Sequence, residues 1–133
     1  MQRTLIRGGL VVDGTGGEPV KADVLVEDGH IARVAPGLEA ADALLLDASG
    51  KAVTPGFIDI HRHCDIAALN DPRFGAAELA QGLTTVVGGN CGLSLAPMSE
   101  AHAAQAEAHI APCLGPARGL RFDDGGAYMR ALA

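Results

Sequence analysis

Short apolar runs separated by polar and turn residues make up the first fifty positions of the chain. The runs occupy residues 5–7, 10–12, 22–26, 30–34 and 43–47. Those that alternate with polar residues have the period of a strand with one buried face. Gly8-Gly9 separates the first two runs, and Asp28-Gly29 is a hairpin signal between the third and fourth. Residues 1–53 are therefore predicted to form a small β meander with a hairpin in its middle.

The pattern changes after Ala52, where longer apolar runs alternate with a helical segment. A Pro-Gly turn leads into a predicted buried strand over residues 53–60, and polar residues follow as a loop through Pro72. Residues 76–81 have helical character with Gly82 as the C-cap, and residues 83–87 are a β-branched strand. Strand, helix and strand, with both strands apolar, predict a parallel βαβ unit buried on its two faces.

The last third of the chain is predicted to be helical with breaks. Residues 99–110 are rich in alanine, and Ser99 suits an N-cap, so a helix is expected there. Pro112 and Gly115 interrupt the next segment. Asp123 is the expected cap of a final short helix over residues 126–132.

Composition and charge narrow the classes of function. The 133 residues are 48% hydrophobic but only 3% aromatic, so the core must be built from Ala, Val, Leu and Ile. A formal net charge of −6 argues against a nucleic-acid partner. Three cysteines without a CxxC pair favour a reducing, cytoplasmic location. No apolar run approaches a membrane span of about 20 residues, and the N-terminus lacks the apolar core of a signal peptide, so no membrane partner is expected.

A histidine pair at the end of the predicted strand is the first candidate for chemistry. Residues i and i+2 of a strand share a face, so His61 and His63 can meet one metal ion while Arg62 points away. The alternative is a pair of solvated loop histidines. Asp59 has the same parity and either orients a ligand histidine or ends the strand in solvent.

Cysteine supplies the second candidate. Cys91 follows the next apolar strand in a glycine-rich turn, where its thiolate is a possible metal ligand; the alternative is a small buried hydrophobe. Cys64 has the opposite parity to the histidines, and Cys113 lies in a Pro/Gly segment. Neither is predicted to bind metal. His102 and His109 lie seven apart on the alanine-rich helix and are expected on its surface.

Two stretches resemble a known family. Residues 54–63, TPGFIDIHRH, resemble the PGFIDxHxH signature of amidohydrolases, and residues 81–97, QGLTTVVGGNCGLSLAP, resemble a segment of the D-aminoacylases, which are N-acyl-D-amino-acid deacylases. The resemblance implies an α/β fold: a (β/α)8 TIM barrel beginning in residues 54–133, preceded by a β-sandwich portion in residues 1–53. It also implies zinc-dependent hydrolysis of N-acyl-D-amino acids.

The same resemblance assigns the site. It maps the family's cysteine ligand onto Cys91 and its histidine pair onto His61 and His63. It places the tightly held zinc on the cysteine and two later histidines, and a second, weaker metal on the pair with a late aspartate that acts as general base. At Cys64 many members have an acidic residue. A barrel takes roughly 250 residues, so the chain is expected to be a truncated part, inactive alone and prone to aggregate.

Two other classes of function stay open at this point. A hydantoinase or dihydroorotase would share the histidine pair, but those families bridge their metals with a carboxylated lysine rather than a cysteine. A non-catalytic module, binding a metal or a partner through its strands, is the other alternative.

Overall fold

The computed structural model describes residues 2–133. The chain divides into two compact units at the bond between Pro55 and Gly56. This point lies two residues after the predicted boundary between residues 53 and 54. The assignment of the two parts to a β-sandwich and a barrel stays a prediction.

The first unit is a five-stranded mixed sheet. Its strands are β1 (Arg3–Val11), β2 (Val20–Glu27), β3 (His30–Ala35), β4 (Leu44–Asp47) and β5 (Ala52–Val53). The order is β3-β2-β1-β4, and β5 also pairs with β1. The predicted hairpin between β2 and β3 is antiparallel, but β4 and β5 run parallel to β1. The predicted meander is therefore wrong at its end, because the chain crosses from the β3 edge to the far side of β1.

A β-bulge joins what the sequence predicted as two strands into one. The register between β1 and β2 shifts between Ile6 and Gly9. Gly8 adopts φ +75°, which a glycine accepts without steric cost, and its N–H donates to Asp23 Oδ1 at 2.7 Å. A Cβ at Gly9 would lie 2.5 Å from Val53 Cγ2, so β5 approaches this position too closely for any side chain.

Replacement of Asp23 by alanine should destabilise the first unit. This carboxylate is 5% exposed and also accepts the Leu38 N–H at 2.9 Å, so its loss leaves one buried and one half-buried N–H group without acceptors. We expect the free energy of unfolding to fall by about 2–4 kcal/mol, as measured by denaturant titration of the protein. The exposed Asp42 is the matched control, and its alanine variant should change stability by less than about 0.5 kcal/mol.

Lowering the pH should weaken the hydrogen bonds that the Asp23 carboxylate accepts. The Gly8 N–H holds the pKa of Asp23 below its ordinary value, with smaller contributions from the Leu38 N–H and from Arg7. A lowered folded-state pKa contributes stability above the unfolded value near about 4, and that contribution is lost as pH falls through the folded value. The alanine variant should therefore show a shallower loss of stability below about pH 4. An unchanged acid limb would contradict this account.

The second unit carries a βαβ arrangement. Its elements are β6 (Phe57–Asp59), α1 (Ala67–Asn70), α2 (Ala76–Leu79), β7 (Leu83–Val86), α3 (Ala103–Leu114) and α4 (Gly125–Leu132), with 3₁₀ turns at Asn90–Gly92 and Glu100–His102. β6 and β7 pair in parallel with α2 between them in sequence, which confirms the predicted unit. The predicted strand over residues 53–60 is too long, and α1 was expected to be loop.

Burial in the second unit differs from the prediction. The strand side chains of Phe57 and Ile58 are 58% and 61% exposed, so within residues 56–133 the two strands are not covered on both faces. The core instead lies among the loops and α3, and consists of Ile66, Leu95, Met98, Ile110 and Ala117. Ile66 follows His63 closely in the chain and Leu95 follows Cys91, so this core anchors the chain just after each group of candidate ligands. Aggregation of the chain through its exposed apolar side chains stays a prediction.

Helix ends also shift from their predicted positions. Ser99 Oγ lies 3.0 Å from His102 Nδ1 and caps no backbone N–H of α3, which begins at Ala103. Pro112 lies inside α3, and the helix ends only before Gly115. The cap of α4 is Asp124 rather than Asp123, because Asp124 Oδ1 accepts the Ala127 N–H at 2.7 Å. No helix within residues 2–133 combines the length and apolar character needed to cross a lipid bilayer.

Candidate metal centre

The histidine pair lies just beyond the C-terminal end of β6. Arg62 N donates to Val87 O at 3.1 Å and Val87 N donates to Asp59 O at 2.8 Å, so backbone pairing continues past both strands. The rings of His61 and His63 meet edge to face, with centroids 5.3 Å apart and planes inclined by 81°. The pair therefore converges although neither residue belongs to β6, where the parity argument had placed them.

The cysteine lies beyond the C-terminal end of β7, in a loop that doubles back. Gly89 and Cys91 both have left-handed backbone conformations, at φ +73° and +60°, and Asn90 Nδ2 donates to Val87 O at 2.6 Å. This loop brings Cys91 Sγ to 3.4 Å from His61 Nε2. The ligand atoms of His61, His63 and Cys91 all lie within 4.8 Å of one another.

The three side chains fit a zinc ion in type and spacing. Zinc binds imidazole nitrogen at about 2.0–2.1 Å and thiolate sulfur at about 2.3 Å, which separates the two atoms by about 3.6 Å in a tetrahedral site. The observed separation of 3.4 Å between Nε2 and Sγ is close to that value. His63 Nδ1 is buried and has no hydrogen-bonding partner among residues 2–133, as expected of a nitrogen that a ligand outside these residues would satisfy.

The Asp59 side chain binds the histidine loop through a backbone N–H of that loop rather than through an imidazole ring. Its Oδ1 accepts the His61 N–H at 3.1 Å, and its Oδ2 lies 3.6 Å from Arg62 Nη1. Of the two roles left open for this residue, neither describes the contact: the carboxylate is partly covered, and it touches no imidazole. It fixes the turn that carries the pair.

Arg62 connects the histidine loop to α2. Its guanidinium forms an ion pair with Glu78, a residue only 9% exposed, so the side chain between the two histidines is directed to the helix. Sequence reasoning missed Glu78. The available signal was an acidic residue within the otherwise apolar α2 segment, AAEL.

Replacement of Arg62 by alanine should loosen this connection. The change leaves the Glu78 carboxylate nearly buried without its cation, and we expect a loss of about 1–3 kcal/mol in stability. Thermal unfolding of R62A, E78Q and the double variant measures it, and the two single effects should not add. R73A is the control, since Arg73 is 87% exposed. Strict additivity in the cycle would contradict the pairing.

Two of the four cysteines and histidines predicted to lie outside the metal site differ from their predicted places: His102 lies in the 3₁₀ turn before α3 rather than on the helix, and Cys113 lies inside α3. Cys64 is buried, and burial followed by the neighbouring Asp65 charge raises the pKa of its thiol. Cys113 is exposed, and so are His102 and His109. None of the four belongs to the group formed by the pair and Cys91.

Asp65 is the other residue that sequence reasoning missed. It is 1% exposed, and its Oδ1 accepts the Gly89 N–H at 2.8 Å. Tyr128 Oη donates to the Asp65 carbonyl at 3.0 Å, and burial, ahead of the nearby Asp65 charge, raises the pKa of Tyr128 to about 12. The signal in the sequence was an acidic residue between Cys64 and Ile66, both of which are apolar.

Comparison with known proteins places the chain in a family. The model of the Amidohydrolase family matches residues 45–117. The chain belongs to the amidohydrolase family. Two relatives from Alcaligenes xylosoxydans xylosoxydans resemble this amidohydrolase chain: N-acyl-D-aspartate deacylase is 39% identical over 129 residues, 97% of the chain and 25% of that protein. D-aminoacylase is 40% identical over 124 residues, 93% of the chain and 23% of that protein.

Solved structures agree with these relatives. The crystal structure of N-acyl-D-glutamate deacylase from Bordetella bronchiseptica, complexed with zinc and a phosphonate inhibitor, matches with a TM-score of 0.80 and 40% identity over 99% of this chain and 27% of that one. Dihydroorotases match this amidohydrolase chain over shorter stretches of 93 and 76 residues. The chain spans about a quarter of the length of the deacylases it matches. The predicted resemblance to the D-aminoacylases is confirmed.

Proposed function

We propose that the complete protein hydrolyses the amide bond of N-acyl-D-amino acids, and that His61, His63 and Cys91 bind its zinc. The observation that carries this proposal is the convergence of two imidazoles and one thiol within 4.8 Å, at the C-terminal ends of two adjacent parallel strands. Barrel enzymes of the α/β class carry their catalytic groups at that end of their strands.

The matched proteins support the substrate class and the metal. Both Alcaligenes relatives are named as deacylases or acylases of D-amino acids, and the Bordetella structure contains zinc. Over nearly the whole chain the identity to them is 39–40%. The chain supplies about a quarter of such a protein, so the substrate and the activity are proposed for the whole.

The fold of the complete protein follows the same proposal. The β6-α2-β7 unit is the start of a (β/α)8 barrel, and residues 1–53 contribute to a β-sandwich. The exposed apolar side chains of Phe57 and Ile58 on β6 support this, because later barrel elements would cover them. The free cysteines favour the cytoplasm as the proposed location.

Each residue of the cluster has a defined task in this scheme. When bound, zinc polarises an amide carbonyl and lowers the pKa of water towards neutrality. The two imidazoles bind through neutral nitrogen, and Cys91 contributes a thiolate whose charge offsets that of the cation. By the resemblance Cys91 is a ligand of the tightly held zinc and the histidine pair holds the second metal, so side chains from two strand ends define the metal centre. The general base is an aspartate expected outside these residues, so the 133-residue chain should be inactive alone.

The cyclic-amide alternative has weaker support. Dihydroorotases match over shorter stretches, and Cys91 Sγ lies 3.4 Å from His61 Nε2. A cysteine in the cluster favours the deacylase, in which that residue is a ligand by resemblance.

Hydrolysis by the complete protein tests the proposal. N-acetyl-D-glutamate, N-acetyl-D-aspartate and N-acetyl-D-leucine, their L enantiomers, dihydroorotate and hydantoin form the panel. We expect free D-amino acid to be released, with loss of activity after chelation and recovery with zinc. Turnover of the cyclic amides alone would favour the alternative. A folded protein that hydrolyses nothing, or that is indifferent to metal removal, would contradict the proposal.

A further inference from the structure

One buried carboxylate connects the two loops that carry the candidate ligands. Asp65 follows His63 by two residues, and its Oδ1 accepts the N–H of Gly89, which precedes Cys91 by two residues, at 2.8 Å. The same side chain therefore belongs to the histidine loop and bonds to the cysteine loop.

The backbone of the cysteine loop lies very close to the Asp65 carboxylate. A Cβ at Gly88 would lie 3.1 Å from each carboxylate oxygen of Asp65, so the absence of a side chain there allows the backbone to approach the acid. Gly88 does not have a positive φ, which means that its conformation alone does not require glycine. The reason for glycine at this position is the carboxylate.

The backbone of Asp65 is fixed independently of its side chain. Tyr128 Oη of α4 donates to its carbonyl at 3.0 Å, and the next residue, Ile66, is 7% exposed in the core. These contacts set the position of the Asp65 backbone, and its carboxylate can therefore hold the loop of Cys91 in place.

The loop of Cys91 needs such a support. A non-glycine residue in the left-handed conformation costs about 1–2 kcal/mol, and Cys91 is at φ +60°. Asp65 Oδ2 is buried without a hydrogen-bonding partner among residues 2–133, so the acid is retained at a cost in desolvation.

We propose that Asp65 is a positioning residue that holds the Gly88-Gly89-Asn90-Cys91 loop so that the thiolate faces His61 and His63. This inference rests on the proposed metal role of Cys91. Asp65 acts through the Gly89 N–H and forms no hydrogen bond with any of the three ligand side chains within residues 2–133. Its loss should leave the ligands present but misplaced.

Cobalt substitution of the complete protein tests this role without relying on turnover. A thiolate bound to Co²⁺ gives a charge-transfer absorption, which reports on Cys91 directly. In D65A we expect most of that absorption to be lost and the affinity for metal to fall by about 10–100-fold, as for outer partners of metal ligands. D65N keeps an oxygen for the Gly89 N–H and should stay within about 3-fold of wild type. D123A, an exposed loop change, is the matched control.

If D65A does not fold, a second variant tests the positioning role of Asp65. G88A inserts a methyl group against the carboxylate and should also weaken the absorption and the affinity; in the D65N/G88A pair the two changes should not add. Folded D65A or G88A with the wild-type absorption and affinity would overturn the inference, as would a folded D65N as impaired as D65A. The proposed function fails separately, if the wild-type protein shows no absorption that C91S removes.

Discussion

Replacement of Cys91 by serine should lower kcat/KM for an N-acyl-D-amino acid by more than about 100-fold, because even outer partners of metal ligands cost about 10–100-fold when they are changed. A serine hydroxyl stays neutral near pH 7, so the site loses an anionic ligand as well as its preferred sulfur. Both residues carry a Cβ, so the left-handed backbone at φ +60° is equally strained in the two proteins. Steady-state kinetics and metal content per chain measure the effect.

The matched control for this change is Cys113→Ser. Cys113 is exposed on α3 and lies outside the cluster, so its variant should retain wild-type kinetics and metal content. Cys91→Ser with full metal content and unchanged kcat/KM would remove the thiolate from the proposed site. Equal losses in both variants would indicate a general effect of cysteine replacement.

Loss of either histidine should be the second large effect. His61→Ala and His63→Ala each remove one nitrogen ligand, and we expect kcat/KM to fall by about 100-fold or more. The double variant should be little worse than either single one, because ligands that act as a unit are not additive. Kinetics of the three variants, with metal titrations of each, check this result.

Stability should separate ligand loss from damage to the fold. His61 is exposed and its ring contacts Cys91 Sγ through Nε2, while the Nδ1 atom of His63 has no hydrogen-bonding partner among residues 2–133. The two rings therefore contribute little to the stability of the metal-free fold. Thermal unfolding of the metal-free variants should therefore change little. His109→Ala, an exposed change on α3, is the control for kinetics. If the two single variants showed only modest losses of kcat/KM that added in the double variant, His61 and His63 would not be ligands of the same ion.

Local signals explain why the βαβ unit was predictable. Gly82 has φ +81° in the turn between α2 and β7, although the C-cap of α2 is Ala80 rather than the predicted Gly82. The predicted strand over residues 83–87 matches β7 closely. Each of these features depends on neighbours a few residues apart in the chain. The same holds for the ligand pattern, where the spacing of the histidines and the glycine-rich turn at Cys91 identify residue types suited to zinc.

Long-range contacts explain what was missed. The parallel pairing of β4 with β1 joins residues about forty positions apart, and no local pattern distinguishes it from a meander. Asp23 and Asp65 are buried acids that no local pattern identifies, and the side chain of each accepts a hydrogen bond from a backbone N–H distant in the chain. Burial of β6 and β7 was expected from their apolar character, whereas the elements of residues 56–133 leave Phe57 and Ile58 exposed.

The sequence by itself determined the family, the parallel unit and the three candidate ligands, because these depend on residue type and short spacing. Only the tertiary structure decided that the ligands meet. Cys91 is thirty residues from His61, and their 3.4 Å approach depends on adjacent parallel strands ending together and on a left-handed turn in the second loop. A hydrogen bond from the Gly89 N–H to Asp65, twenty-four residues earlier in the chain, connects that turn to the histidine loop, and local sequence patterns do not reveal such a contact.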